Sequence, residues 1–362
     1  MPLRSEIDYL EFNRNLRETY RRYIYTANMI SDQEPALRDE FWDRIDGEFG
    51  IFNGPLLHCT PSYKTSCSIE QLVEGKGAIA LSDLFMRLPQ DQFDISRPLY
   101  KHQVEAFEIL GRGSNLIVAT GTGSGKTECF LMPILDDIFQ NPLPGLRAIL
   151  IYPMNALADD QLGRLRKLLA DFPEVSFGRY TGDTPWDSED PSDRDGLPSN
   201  ERYTRKEIRD NPPHILLTNF AMLEYLLLRP RDADIFQHHH LKFLVLDEAH
   251  SYAGAQGIEI SLLLRRVREY LVGDADSIQF VLTSATLGDG EEAHKSIAAF
   301  GSHLTGSDFD SDSVLVGETV DEFAEPLIPF PSSETMGRIG AVAEGFEAWT
   351  QALLDPVELT EK

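Results

Sequence analysis

From residue 99 onward the chain alternates short, nearly continuous apolar runs with longer amphipathic stretches. The runs fall at residues 115–120, 147–152, 175–181, 214–219, 243–248 and 279–286. A strand with one wet face alternates apolar and polar residues, whereas a strand covered on both faces does not. These runs therefore predict parallel strands buried beneath helices. The stretches between them carry helical periodicity. Residues 258–271, for example, place Ile258, Leu262, Leu263, Val267 and Leu271 on one side. Strand and helix in strict succession predict an α/β fold, a doubly wound and mainly parallel sheet that gathers ligands at the C-terminal ends of its strands.

The first 98 residues follow another pattern. Residues 8–29 set Leu10, Leu16, Tyr20, Tyr23 and Ile24 among Arg14, Arg17, Arg21 and Arg22, which predicts an amphipathic helix. Its charged side is either a solvated face or a basic surface for nucleic acid. Residues 34–45 predict a second helix and 77–88 a short one. Residues 47–68 are rich in Gly, Pro and Ser and predict irregular structure, and 89–98 read as a linker. This block is expected to be a helical accessory region. Residues 186–200 predict a mobile insertion. Beyond residue 287, the Gly/Ser/Asp content of 301–312 and the prolines of 326–333 suggest a linker and tail, with one further helix at 336–354.

Charge complicates the picture. The net charge is −26, half of it between residues 289 and 362, where sixteen Asp/Glu face three Lys/Arg. Residues 183–195 hold six more acids and one Arg. A protein that grips nucleic acid by neutralising phosphates usually shows a basic footprint, so charge alone argues against that partner. Cys59, Cys67 and Cys129 have no metal-ligand spacing, and Cys129 is expected to act as a small buried hydrophobe. Sparse cysteines, no apolar run long enough for a bilayer and a charged N-terminus predict a cytoplasmic protein without membrane contact.

The chemistry centres on Thr120-Gly121-Thr122-Gly123-Ser124-Gly125-Lys126-Thr127, between the first apolar run and a predicted helix at 128–139. Glycines let the backbone approach a polyphosphate, exposed N–H groups point at its oxygens, and the helix end adds partial positive charge. Lys126 is expected to reach the β- and γ-phosphates and the Thr127 hydroxyl to ligate Mg²⁺. The strict pattern has Gly where this chain has Thr120. Asp247-Glu248-Ala249-His250 closes the fifth apolar run about 120 residues after Lys126. Asp247 at a strand end can hold Mg²⁺, and Glu248 can then orient and deprotonate an attacking water. Taken alone, the tetrapeptide is equally a helix start. Ser284-Ala285-Thr286 closes the sixth run, where small hydroxyls can bond the acidic motif or simply cap a strand. The run His238-His239-His240 is read as solvated surface.

The order Gln103, phosphate loop, Asp-Glu-Ala-His, Ser-Ala-Thr resembles the first RecA-like domain of superfamily 2 DExH (DEAH)-box helicases. Tyr100-Lys101-His102-Gln103, residues 152–158, Thr218-Asn219 and Met222-Leu223-Glu224 are similar to the MrfA/Lhr-like branch. Large bacterial members of that branch, some of them in anti-phage defence, often carry an N-terminal extension. The resemblance implies ATP and Mg²⁺ as cofactors. It further implies that Gln103 contacts the adenine, that His250, Ser284 and Thr286 couple hydrolysis to movement, and that Asn155, Thr181, Gly182, Thr218 and Asn219 touch a nucleic-acid backbone, with single-stranded DNA the expected partner. Such uncharged groups hold phosphates without reading bases, and the alternative for each is an ordinary turn or cap.

The implied organisation is an accessory region at 1–98, a RecA-like ATP-binding domain at 99–300, and an acidic linker or tail at 301–362. A second RecA-like domain, which supplies arginines to the ATP site, is not legible after Thr286, where no further strand–helix alternation and no second-lobe arginine motif is found. It is expected in the same longer polypeptide or in a partner chain, and hydrolysis by this chain alone is expected to be weak. Two other functions fit the same motifs. One is a nucleotide-gated assembly module of a multi-subunit defence complex, and the other a double-strand DNA translocase that does not separate strands.

Overall fold

The computed structural model describes residues 9–28, 33–48, 62–75, 79–121, 123–187, 194–237, 240–252, 254–271, 278–285 and 290–320. The chain forms two compact units, one of residues 1–61 with 321–362 and one of 62–320. In the first, helices α1 (Tyr9–Ala27) and α2 (Pro35–Glu48) are joined through Tyr25. Its hydroxyl donates to the Arg38 carbonyl at 2.8 Å and accepts from Arg21 Nε at 2.7 Å, while Arg21 also pairs with Asp39 at 2.6 Å. The predicted apolar positions Leu16, Tyr20 and Tyr23 of α1 are exposed. The helix proposed for 336–354 lies outside the described residues.

The second unit opens with β1 (Thr65–Ser68) and α3 (Ile69–Val73), where Ser68 and Gln71 satisfy each other's backbone N–H groups in a capping box. Next come β2 (Pro98–Tyr100), antiparallel to β1, and α4 (Lys101–Gly111). Then follow β3 (Leu116–Ala119), α5 (Lys126–Gln140), β4 (Ala148–Ile151), α6 (Asn155–Leu168), β5 (Phe177–Tyr180), β6 (Glu201–Arg202), α7 (Arg205–Asp210), β7 (Ile215–Thr218), α8 (Phe220–Leu228), β8 (Phe243–Leu246), α9 (Gly254–Leu271), β9 (Gln279–Ser284), α10 (Glu291–Thr305) and β10 (Val314–Leu315).

Eight strands form one sheet in the order β10-β3-β9-β8-β4-β7-β5-β6, every pair parallel. Successive side chains of a strand point to opposite faces, and both faces here are dry. Leu116, Val118, Leu150 and Val245 pack with α4, α5 and α6. Ile117, Ala119, Ile149, Leu244 and Leu246 pack with α8, α9 and α10. This is the doubly wound parallel sheet expected from the uninterrupted apolar runs, in the RecA-like form that the resemblance implied. Because the strands pair in register, Ala119 with Ser284, Ile151 with both Leu246 and Thr218, and Thr218 with Tyr180, their C-terminal ends form one edge.

Several local expectations change. Within the expected linker at 89–98, Ile95 is anchored in the core beside Leu99, Ile69, Leu72 and Phe85, while most of its neighbours are exposed. Residues 65–68 form a strand, not irregular chain, and the short helix expected at 77–88 is a 3₁₀ turn at Asp83–Arg87. Strand–helix alternation continues past residue 286, because α10 buries Ile297, Ala298 and Leu304 and leads into β10 beside β3. The end of the 186–200 insertion is anchored. Asn200 is buried and its amide faces the carbonyls of Leu169, Phe172 and Val175 at 2.8–2.9 Å, while Glu201 forms two 2.7 Å bonds with Arg166.

Candidate ATP and nucleic-acid site

The loop between β3 and α5 takes the turn its glycines permit. Gly123 (φ 78°) and Gly125 (φ 73°) lie in the left-handed region, and Gly125 caps α5. Thr120, where the strict pattern has Gly, is buried and its hydroxyl bonds that of Ser124 at 2.6 Å, bracing the loop from within. Lys126 Nζ donates to the Thr120 carbonyl at 3.1 Å and stands 3.9 Å from Glu248 Oε1. Thr127 follows on the first turn of α5, and Thr122 lies outside the described residues.

Gln103 is buried against the loop. Its oxygen accepts from Tyr100 N at 2.8 Å and its amide donates to the Gly125 carbonyl at 3.2 Å. A Cβ on Gly125 would lie 2.3 Å from that amide nitrogen, so the glycine is needed for this approach as well as for its φ. In this structure Gln103 supports the loop, with each end of its amide engaged by backbone. His102 reaches the Ser124 carbonyl at 2.9 Å, and burial lowers its pKa below the ordinary 6.5. A carbonyl only accepts, so this ring nitrogen carries the proton.

The acidic motif follows β8. Asp247 N–H donates to the Ile151 carbonyl at 3.0 Å. The Thr283 hydroxyl, on the adjacent β9, donates to Asp247 Oδ1 and accepts from Glu248 N–H at 3.0 Å. Burial raises the Asp247 pKa, the Thr283 bond partly opposing it. Glu248 has φ 50°, ψ 46°, and among the described residues it is the one non-glycine with positive φ. Such strain persists where the surroundings impose it, and here it turns the carboxylate back toward Lys126 and His250. His250 Nδ1 lies 3.3 Å from Glu248 Oε2 and 3.4 Å from both Ser284 Oγ and the Ala285 nitrogen. Protonated, that nitrogen can donate to Glu248, whereas unprotonated it can accept from Ser284 or Ala285. Thr286 lies outside the described residues.

These groups suit ATP and Mg²⁺. A buried carboxylate whose charge is disfavoured by its surroundings faces a lysine and a glycine-rich helix entry, an arrangement that a cation and a polyphosphate would complete. Among the described residues no three His, Cys, Asp or Glu are placed to hold a metal. An ion here would therefore take most of its ligands from phosphates and water, as Mg²⁺ commonly does.

One strand further along the edge, the proposed nucleic-acid residues form a second group. Asn219 caps α8, accepting from Met222 N–H at 2.8 Å, and donates to Asn155 Oδ1 at 2.8 Å. Asn155 in turn donates to Asp183 at 2.9 Å. Gly182 is exposed. Thr181 and Thr218 differ from expectation, because both side chains are buried. The Thr218 hydroxyl donates to the Tyr180 carbonyl at 2.7 Å, and the Thr181 N–H to Thr184 Oγ1 at 2.9 Å. Both side chains lie beneath the edge rather than on it.

Sequence reasoning missed three positioning residues. Thr283 was signalled by a hydroxyl inside an otherwise apolar strand. Arg164 of α6, which holds Glu128 at 2.5 Å behind the loop, had no local signal. Neither did Tyr63, whose hydroxyl accepts from Gly121 N–H at 3.1 Å and whose ring lies at 5.3 Å from that of His102.

Residues 100–294, more than half the chain, match the DEAD/DEAH box helicase family. The Druantia protein DruE of Escherichia coli (strain UMEA 4076-1) is 32% identical over 394 residues, covering 81% of this chain and 21% of its own length. The ATP-dependent helicase Lhr-Core of Sulfolobus acidocaldarius is 28% identical over 206 residues, 53% of this chain and 21% of that protein. Among solved structures, DUF1998 helicase MrfA bound to DNA superposes with a TM-score of 0.51 at 26% identity, over 72% of this chain and 31% of that one. The chain thus spans between about a fifth and a third of the length of these relatives. It belongs to the DEAD/DEAH box helicases of superfamily 2, on their MrfA/Lhr-like branch.

Proposed function

We propose that this chain is the ATP-binding half of a motor that couples ATP hydrolysis to movement along single-stranded nucleic acid, DNA in the first instance. The observation that carries the reading is the convergence of Lys126 and Glu248 to 3.9 Å across two strand ends, with the Asn155–Asn219 pair on the same edge. Lys126 would exchange the Thr120 carbonyl for the β- and γ-phosphates. Thr127 and Asp247 would hold the metal, and Glu248 would orient the attacking water and take its proton. Bound Mg²⁺ would neutralise charge on the phosphate oxygens. His250, shared between Glu248 and the Ser284–Ala285 turn, would report the state of the water site to β9. Asn155, Gly182 and Asn219 would hold the strand through its backbone, which carries no sequence information.

An arginine from a second RecA-like lobe would complete the site. In other phosphoryl-transfer enzymes such a residue contributes about 10³–10⁵ in rate, so these residues alone would bind ATP and hydrolyse it slowly. The test is ATP turnover with and without single-stranded DNA in a protein carrying both lobes. The reading requires that Lys126→Ala abolish the stimulated rate. A stimulated rate unchanged in that variant overturns it.

A further inference from the structure

Beyond β5, three arginines gather around one indole. The guanidinium carbons of Arg231, Arg209 and Arg205 lie 4.4, 4.7 and 5.9 Å from the centre of the Trp186 ring. Arg205 and Arg209 come from α7, Arg231 from the turn after α8, and Trp186 from the loop after β5, so three segments converge. Trp186 is 46% exposed and Arg231 is exposed. An aromatic face attracts one guanidinium well, but three like charges around one ring repel, and Asp232 pairs with Arg209 among them. Asp232 is buried, bonded by the Tyr180 hydroxyl at 2.9 Å and 4.0 Å from Arg209. Asp187 pairs with Lys206 at 3.0 Å, and Asp183 accepts from Asn155. Arg231 has no ion pair among the described residues, and Arg205 Nε is buried without a partner.

The cluster continues the nucleic-acid edge. Arg205 donates to the carbonyls of Thr181 and Gly182 at 3.0 and 2.8 Å, so the guanidinium that flanks Trp186 also fixes the Gly182 turn. In a chain of net charge −26, whose residues 183–195 alone hold six acids, these guanidiniums place positive charge beside the Gly182 turn.

We propose that Trp186, Arg205, Arg209 and Arg231 form a second contact for the single strand, just beyond Gly182. The exposed part of the indole stacks a base, and Arg231 holds a neighbouring phosphate. This rests on the motor reading above, and it supplies the charge that the uncharged residues of the edge lack.

The test is equilibrium binding of a fluorescent oligo-dT to the full chain at several salt concentrations. Trp186→Ala, Trp186→Phe, Arg231→Gln and Asn155→Ala are compared with the wild type, and thermal unfolding midpoints check that each is folded. Trp186→Ala is expected to weaken binding by about fivefold or more, with Trp186→Phe retaining most of the affinity. Arg231→Gln is expected to lower the slope of log K against log salt by about 0.7, one phosphate on a single strand. If the Trp186 and Arg231 variants bind like wild type while Asn155→Ala binds more weakly, the second contact is wrong and the motor reading stands. If the wild-type chain binds no oligonucleotide, both fall. If the Trp186 and Arg231 variants lose affinity for polyglutamate but keep it for oligo-dT, the surface docks acidic protein and the proposal is overturned.

Discussion

Asn219 and Asn155, 64 residues apart, share a 2.8 Å amide hydrogen bond that fixes both side chains. The direction is unambiguous, because Met222 N–H occupies the Asn219 oxygen and the Asp183 carboxylate accepts from the Asn155 nitrogen. The ends of β4, β5 and β7 are therefore linked by one polar chain. Asn219→Ala should cost about 1 kcal/mol in denaturant unfolding through its lost helix cap. Asn155→Ala should cost less. A double-mutant cycle on strand affinity should show non-additive losses for this pair, and additive losses would mean the two side chains act separately.

Glu248 sits in a left-handed conformation that disfavours a side chain. Replacing it with Gly or Ala removes the carboxylate in both cases, but only Gly relaxes the backbone. Glu248→Gly should therefore be more stable than Glu248→Ala by about 1 kcal/mol, measured by denaturant unfolding. Both should lose hydrolysis. Equal stabilities would show that the φ angle stores no strain.

Gly317 packs against Tyr63, and a Cβ there would lie 2.4 and 2.6 Å from its ring carbons and 3.2 Å from Thr120 Cγ2. Gly317→Ala must displace Tyr63 from Gly121 or strain the phosphate loop. A stability loss of about 1–3 kcal/mol is expected for such overpacking, together with weaker binding of an ATP analogue by fluorescence titration. Unchanged affinity would show that Tyr63 does not support the loop.

Burial lowers the pKa of His102, and burial followed by the Arg147 charge lowers that of His214, both from 6.5. The folded state therefore favours the neutral rings. Their contribution to stability is complete above pH 6.5 and is lost as the pH falls through that value and the lower folded ones. Unfolding midpoints of the wild type should drop between about pH 7.5 and 5. In His102→Gln the acid limb should be shallower, and an unchanged slope would exclude His102 as a cause.

The sheet was legible because its central strands are unbroken apolar runs, and all six expected strands are present. The two-residue strands β6 and β10 were not, since two residues carry no period and β10 finds its place beside β3 only through the packing of α10. The site divides similarly. The placement of Lys126, Asp247 and Glu248 at neighbouring strand ends was readable from local spacing. Tyr63 over Gly121, and the arginines around Trp186, exist only after segments distant in sequence have folded together. Thr181 and Thr218 carry the hydroxyls expected of backbone contacts, but residue type does not reveal which way a strand end faces.

The central claim is that a triphosphate sits between the phosphate loop and the acidic pair. Titration of a fluorescent, non-hydrolysable ATP analogue with Mg²⁺ into the chain tests it directly, comparing wild type with Lys126→Ala and Glu248→Gln. The account predicts saturable binding by the wild type, a loss of about tenfold or more in Lys126→Ala, where a charged contact is removed, and affinity largely retained in Glu248→Gln. Binding by Lys126→Ala as tight as by the wild type would contradict it.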